Sequence, residues 1–186
     1  MEENTKVLVG YHGTTQKSML SILKSGLIFS PSIEDWLGHG CYFFIDGISD
    51  AFKSASEWVN NKNPKEKNFV IKVKIELKAN EILDLTTTEG LKFFNSYRES
   101  ITKEFYEGLI NRRDISIKKR KDIRVDDCII MNIFEKKLKY KAIIHNVYIK
   151  NRIQRTLELE SSYPNSTVLC IENTIGIEII KAIEAC

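Results

Sequence analysis

An α+β fold is the class that this sequence predicts, from three observations. Short apolar or alternating runs typical of strands dominate the two ends of the chain, before residue 87 and after residue 141. Helical spacing of apolar residues fills the middle, from about 88 to 137. No regular alternation of strand and helix of the βαβ kind is visible. Segregation of strands from helices indicates the α+β class.

Length and composition predict one domain spanning residues 1–186, large enough for a real hydrophobic core. The chain is 42% hydrophobic and 28% charged, ordinary values for a globular protein. No apolar run approaches the roughly 18–20 residues of a membrane span. The polar, acidic start Met1–Lys6 is unlike a signal peptide. We therefore expect a cytoplasmic protein without a membrane partner.

The cysteine spacing argues against zinc sites and disulfide staples, because no Cys-x-x-Cys pair occurs. The cysteines are Cys41, Cys128, Cys170 and Cys186. We predict no metal site. The net charge of +3 is too small to indicate a nucleic-acid partner by itself.

The first strand and helix are predicted between residues 6 and 26. The apolar run Lys6–Gly10 leads into Tyr11-His12, so His12 is expected at the end of a strand. Thr14 or Thr15 can cap the helix that follows, and Gly26 ends it. Its apolar face is predicted to consist of Met19, Ile22 and Leu23.

A loop, a buried strand and a second helix are predicted next. Residues 28–39 form the loop, in which Trp36-Leu37 is a patch that either faces a ligand or packs. Residues 40–45 form the strand. Ser49 or Asp50 can cap the helix. The residues expected on one face of this helix are Ala51, Phe52, Ala55, Trp58 and Val59.

The rest of the chain continues with strands and helices in separate groups. Apolar residues alternate from Phe69 to Ile75, as in a half-solvated strand, and a shorter strand follows over 82–86. One or two helices are predicted over 88–113 and another over 127–137. The expected buried positions of residues 88–113 are Leu91, Phe94, Ile101, Phe105 and Leu109. The last strands are predicted over 142–149, 167–171 and 175–180.

Two short motifs carry the chemistry of the sequence. His12-Gly13-Thr14 places an imidazole beside a glycine and hydroxyl groups, and Gly38-x-Gly40-x-Tyr42-Phe43 places a tyrosine on an apolar strand. An imidazole can donate a hydrogen bond to a ribose hydroxyl through one nitrogen while its other nitrogen is fixed by the backbone. An aromatic ring can stack on a flat heterocycle. NAD is a ligand that needs both groups.

With these motifs the chain resembles the ADP-ribosyltransferases of the poly(ADP-ribose) polymerase and diphtheria-toxin type. The resemblance covers about residues 8–60 and includes Ile22–Leu27, which match the family's Ile-x-x-x-Gly-Leu pattern. A weaker similarity to small bacterial members lies in 163–173. The resemblance implies a split antiparallel β-sheet core with flanking helices. It also implies NAD as substrate and ADP-ribose transfer by a small toxin or defence protein of a bacterial or phage type.

The resemblance assigns roles to the matching positions. His12 would orient the NAD ribose, and Gly13 would hold the nicotinamide carboxamide through its backbone. Tyr42, after Gly40, would stack on the nicotinamide ring. Trp58 could close the other face of that ring. Ser54 could contact the amide, and Thr14 could touch the ribose, cap the helix or do both.

The sequence departs from the family at a third position. The most active transferases of the family carry a glutamate near the start of a late strand. This glutamate stabilises the positive charge that develops as nicotinamide leaves. Here Val168 or Thr167 occupies that place. Glu158 and Glu172 lie at either side of the strand. We take Glu160 as the candidate catalytic carboxylate, which requires its loop to fold back over the site.

The acceptor and the biological setting stay open. A basic stretch, Arg112–Arg124, either forms a solvated face or follows the phosphates of a nucleic-acid acceptor. The acceptor is thus a protein or a nucleic acid, and an antitoxin or regulator is a possible further partner. Two other functions fit in part. One is an RNA 2′-phosphotransferase, although its Arg-x-His motif is missing, and the other is an inactive module that binds NAD or ADP-ribose.

Overall fold

The computed structural model describes residues 4–28, 31–32, 35–110, 123–174 and 176–186. The strands are β1 Thr5–Thr15, β2 Cys41–Ile45, β3 Asn68–Lys78, β4 Ile82–Asp84, β5 Ala142–Val147, β6 Ser166–Ile171 and β7 Ile177–Glu184. The helices are α1 Gln16–Ser25, α2 Ala51–Lys62, α3 Thr88–Glu104, α4 Tyr106–Ile110, α5 Ile123–Leu138 and α6 Arg152–Thr156. None of these described helices is long and apolar enough to cross a membrane.

The strands form one mixed sheet in the order β4-β5-β6-β2-β1-β3-β7. The pair β4 and β5 is parallel, so the expectation of a wholly antiparallel sheet is wrong there. In the middle, β1 and β2 are joined only at Gly10 with Ile45 and at Tyr11 with Phe44. Beyond Tyr11 the two strands separate, while β1 stays paired with β3 up to Thr15. The sheet therefore opens along a central seam.

Two hydrophobic clusters cover the two faces of the sheet. Phe43, Ile71 and Leu169 belong to the first cluster, against which Ile22 of α1 packs. Val70 and Phe134 belong to the second, to which helices α2, α3 and α5 contribute. Successive residues of a strand point to opposite faces. From Ile71 to Leu77 the apolar residues of β3 are buried and the alternate lysines and Glu76 are half-buried or exposed, so the predicted half-solvated strand is confirmed there. Val70 is 0% exposed on the opposite face, so only that end of β3 is buried on both faces.

The seven-stranded mixed sheet with its helices is compatible with the predicted α+β class, and the predicted helices and strands are present within the described residues. Thr15 caps α1 by accepting a hydrogen bond from the Ser18 amide, and Asp50 caps α2 by accepting one from the Lys53 amide. Gly26 ends α1 with a φ of 80°, in the left-handed region that favours glycine. These local signals were readable because they depend on neighbouring residues alone.

Several details of the prediction are wrong. His12 does not end its strand but pairs with Ile71 inside β1, because β3 extends the pairing to Thr15. Thr14 is likewise in the strand and does not cap α1. Leu91 and Phe105 are 39% and 36% exposed, since the helices of this region bury a narrower face than expected. The short helix α6, whose start is capped by Asn151, was not predicted.

The proposed phosphate-tracking stretch lies almost wholly outside the described residues. Residues 112–122 are among those not described, and helix α5 begins at Ile123. The two interpretations of this stretch therefore stay as stated from the sequence.

Candidate functional site

A cavity of about 380 Å³ lies where β1 and β2 separate. Its volume falls within the range of about 300–1,000 Å³ that is typical of small-molecule sites. The cavity is lined by His12, Gly13, Ile22, Leu27, Ile28, Asp35, Trp36, Gly40, Cys41, Tyr42, Phe43, Phe44, Trp58, Lys62, Ile149 and Val168. The opening of the sheet thus creates the space, and both sequence motifs contribute to its wall.

The His12 ring is held by the backbone of the neighbouring strand. Its Nδ1 lies 2.9 Å from the carbonyl oxygen of Tyr42. A carbonyl can only accept, so Nδ1 carries the proton and Nε2 is an acceptor whenever the ring is neutral. Burial lowers the pKa of His12, and the charge of Lys62 lowers it further, against the opposing effect of the Tyr42 carbonyl. The imidazole is therefore a neutral acceptor near pH 7.

The Tyr42 hydroxyl is already engaged within the protein. It donates to the carbonyl oxygen of Gly38 at 2.8 Å and accepts from the amide of Leu37 at 2.9 Å. Burial strongly raises the pKa of Tyr42. Its phenol is thus unsuited to proton transfer and instead fixes the turn before β2. What the ring offers to a ligand is an apolar surface.

The imidazole and the phenol ring reach the cavity from different faces of the sheet. The His12 ring packs edge-on against Phe43, with 5.9 Å between ring centroids, and Phe43 belongs to the first hydrophobic cluster. Tyr42 packs against the second cluster. The two rings line one space because β1 and β2 have parted between them. They form two walls, and they do not stack on each other.

The two motif glycines are required by packing as well as by the cavity. A Cβ on Gly13 would lie 2.5 Å from the Ala55 carbonyl oxygen in α2, and one on Gly40 would lie 2.4 Å from the Ile171 carbonyl oxygen in β6. The Ala55 and Ile171 backbones could not stay in these positions if either glycine carried a Cβ. The structure thus explains Gly13 by its close contact with helix α2, and its predicted role in holding the carboxamide stays a prediction.

Helix α2 supplies an aromatic and a cationic group to the wall. Trp58 lines the cavity, and the Lys62 ammonium lies 4.7 Å from the centroid of the Trp58 ring. The two residues are four apart, so they lie on the same face of the helix. That spacing was visible in the sequence, yet only Trp58 was singled out from it.

Three predicted site residues do not line the cavity. Thr14 is buried in β1, where it pairs with Phe69. The Ser54 hydroxyl lies 3.0 Å from that of Ser49, so it helps to order the start of α2. Glu160 forms a salt bridge with Lys150, and its side chain is 65% exposed. The expectation that its loop folds back over the site is not met in this arrangement.

The late-strand position carries no carboxylate. Val168 lines the cavity, and Thr167 beside it donates a hydrogen bond to Asn146. Among the described residues that line the cavity, Asp35 is the only acidic one. Its carboxylate accepts from the Ser32 amide at 2.7 Å and lies 3.7 Å from Nδ1 of His39. No motif in the sequence pointed to Asp35, because its place depends on the fold of a loop.

Helix α5 packs against the turn before β2, the same turn that the Tyr42 hydroxyl binds. The Asn132 side chain accepts from the His39 amide at 2.8 Å. Glu135, one turn further along, is 4% exposed and lies against Gly38, where a Cβ would be 2.8 Å from its Oε2. Burial raises the pKa of Glu135 to about 8, and the nearby Glu172 contributes. Helix α5 thus packs against the turn that precedes β2.

No protein-family model matches the sequence, and no curated protein is significantly similar to it.

Proposed function

We propose that this chain is a mono-ADP-ribosyltransferase that uses NAD as its substrate. The single observation that carries the proposal is the convergence of both motifs on one cavity. His12 and Gly13 come from β1, and Gly40 and Tyr42 come from the segment that forms β2. These residues are about 30 positions apart in the sequence. A split-sheet fold of the ADP-ribosyltransferase kind is part of the same proposal, and the seam between β1 and β2 supports it.

The proposed binding mode follows from the chemistry of the two walls. Nε2 of His12 accepts a hydrogen bond from a ribose hydroxyl, since Nδ1 is engaged with the Tyr42 carbonyl. The nicotinamide ring lies against Tyr42, with Trp58 as a second aromatic wall. Stacked aromatic pairs contribute about 0.5–1.5 kcal/mol beyond the burial of area. The hydroxyl of Tyr42 keeps its place in the turn throughout.

The reaction breaks the bond between the ribose C1′ and the nicotinamide nitrogen, and the bonding electron pair leaves with nicotinamide. An acceptor nucleophile then attacks C1′ and loses its proton. The positive charge that develops on the ribose needs a nearby anion or dipole. Asp35 is the carboxylate of the lining that is available for this task. The acceptor is a macromolecule, either protein or nucleic acid.

A second function, NAD or ADP-ribose binding without turnover, is favoured by one specific observation. Val168, which with Thr167 is one of two candidates for the family's glutamate position, lines the cavity with an apolar side chain. An apolar side chain there cannot stabilise the oxocarbenium-like charge. Such a protein would bind the dinucleotide and act through contacts with a partner.

Nicotinamide release from NAD separates these functions. Purified protein is incubated with NAD, with and without cell lysate as a source of acceptors, and free nicotinamide is measured. We expect release that falls at least tenfold in His12→Ala and Asp35→Asn, by analogy with the loss of other transition-state contacts. Lys53→Gln, an exposed change on α2 that does not line the cavity, is the matched control.

Other results would change the assignment. Calorimetric binding of NAD without any release, even with lysate, would favour the binding module. Phosphate transfer from a 2′-phosphorylated RNA would favour the phosphotransferase. Release that is unaffected by His12→Ala would reject the cavity as the reacting site.

A further inference from the structure

Lys62 supplies the positive charge of the cavity wall. The basic and acidic residues of the described lining are His12, Asp35 and Lys62. His12 is neutral near pH 7, because burial lowers its pKa. The wall therefore presents one anion and one cation to a ligand.

The Lys62 ammonium is positioned by an aromatic ring of its own helix. It lies 4.7 Å from the centroid of the Trp58 ring, which places a cation over the aromatic face. Among the described residues, none forms a salt bridge with Lys62. Asp35, in contrast, already accepts a hydrogen bond from the Ser32 amide. Lys62 is thus the cation of the described wall that can bind an anionic group of a ligand.

NAD carries an anionic group that a lysine in the cavity wall can bind. The dinucleotide carries its negative charge on a diphosphate, several bonds away from nicotinamide. A lysine is a compact point charge with three donors, suited to phosphate oxygens. We propose that Lys62 binds the diphosphate of the dinucleotide and makes the cavity selective for it over uncharged nicotinamide. This inference rests on the proposed use of NAD and names the residue that recognises the charged part of the substrate.

A plainer interpretation is that Lys62 only stabilises its helix. It lies in the last turn of α2, where a cation favours the helix dipole, and its contact with Trp58 is a common surface arrangement. The two interpretations differ in what happens to ligand affinity. A structural role would change the melting temperature and leave affinity unchanged.

Calorimetric titration with NAD and with ADP-ribose tests the inference. We expect Lys62→Gln to weaken both affinities about tenfold, the loss of one charge-assisted contact. Lys62→Arg should stay within about threefold of the native protein, because the charge is kept. Raising the salt concentration should weaken binding to the native protein more than binding to Lys62→Gln. Lys53→Gln, on the exposed side of the same helix, is the control for loss of charge alone.

The outcomes separate failure of this inference from failure of the proposed function. NAD binding by the native protein with equal affinity in Lys62→Gln and Lys53→Gln would overturn the role of Lys62 and leave NAD use intact. Binding of ADP-ribose that depends on Lys62, without any binding of NAD, would keep Lys62 as the diphosphate contact and reject the transferase. No binding of either ligand to the native protein would overturn both.

Discussion

The imidazole Nδ1 of His12 lies 2.9 Å from the carbonyl oxygen of Tyr42, across the seam where β1 and β2 separate. This contact fixes the tautomer, because a carbonyl accepts and Nδ1 must donate. The sequence led us to expect an imidazole that donates to a ribose hydroxyl. The contact reverses that role. The remaining nitrogen of a neutral His12 accepts a hydrogen bond.

The first prediction concerns the protonation state of His12. In a two-bond ¹⁵N–¹H spectrum, His12 should appear as the Nδ1–H tautomer with a titration midpoint below the ordinary value of 6.5. Burial also lowers the pKa of His145, so the two signals are assigned with a His145→Gln variant. A midpoint at or above 6.5 for His12, or an Nε2–H tautomer, would contradict the proposed hydrogen bond.

The second prediction concerns Gly13, whose Cα faces helix α2. A Cβ there would lie 2.5 Å from the Ala55 carbonyl oxygen and 2.9 Å from Cβ of Val59. Gly13→Ala should therefore push α2 away from β1 and lower the free energy of unfolding by about 1–3 kcal/mol. Chemical denaturation measures this loss. Gly108→Ala is the control, because nothing lies within 4 Å of its added Cβ.

A Gly108→Ala variant should be neutral or slightly more stable, since alanine is the better helix former. A Gly13→Ala variant as stable as Gly108→Ala would show that α2 shifts at little cost. The glycine would then be explained by a ligand contact and not by packing.

The elements of the fold that depend on neighbouring residues could be predicted from the sequence. Thr15 and Asp50 cap their helices, Gly26 ends one, and the apolar run 41–45 forms a buried strand. Each of these signals is a local hydrogen bond, a backbone conformation or a short hydrophobic run. The parallel pairing of β4 with β5 depends on residues about 60 positions apart, and no local pattern encodes it.

In the candidate site, too, the residues of short motifs could be predicted and those placed by the fold could not. His12 and Tyr42 were found because they belong to short motifs. Asp35 was not, since a loop carries it into the cavity wall. Glu160 was chosen only for being a carboxylate near the late strand, and Lys150 holds it elsewhere. Lys62 was within reach, because it lies one helical turn beyond Trp58.

The third prediction separates the two tasks of Tyr42. Tyr42→Phe removes the hydroxyl that joins the Leu37 amide to the Gly38 carbonyl and keeps the aromatic wall. Its free energy of unfolding should fall by about 1–3 kcal/mol, because both backbone groups lose a partner. Nicotinamide release should persist. Tyr42→Ala should lose stability and release together.

Melting temperature and nicotinamide release are measured on the same preparations of both variants. Equal loss of release in Tyr42→Phe and Tyr42→Ala, with stability unchanged, would mean that the hydroxyl acts in the reaction. That result would contradict the assignment of the phenol to the turn.

The fourth prediction concerns Glu135, the buried carboxylate behind that turn. Burial and the charge of Glu172 raise its pKa from 4.5 to about 8 in the folded protein. A raised folded pKa means that the stability linked to its proton is complete below pH 4.5 and is lost as the pH rises through about 8. The native protein should therefore lose up to about 1 kcal/mol per pH unit between pH 6.5 and 8.

Glu135→Gln keeps the shape of the side chain and removes the titration, so its stability should vary much less across this window. His12 and His145 act in the opposite direction, because their lowered pKa values reduce stability only as the pH falls below about 6.5. Denaturant unfolding at pH 6.5, 7.25 and 8 thus isolates the carboxylate. Glu107→Gln, an exposed change in α4, serves as the control and should follow the native curve. If Glu135→Gln followed that curve as well, the carboxylate would be ionised or solvated in the folded state, and it could not be packed against Gly38.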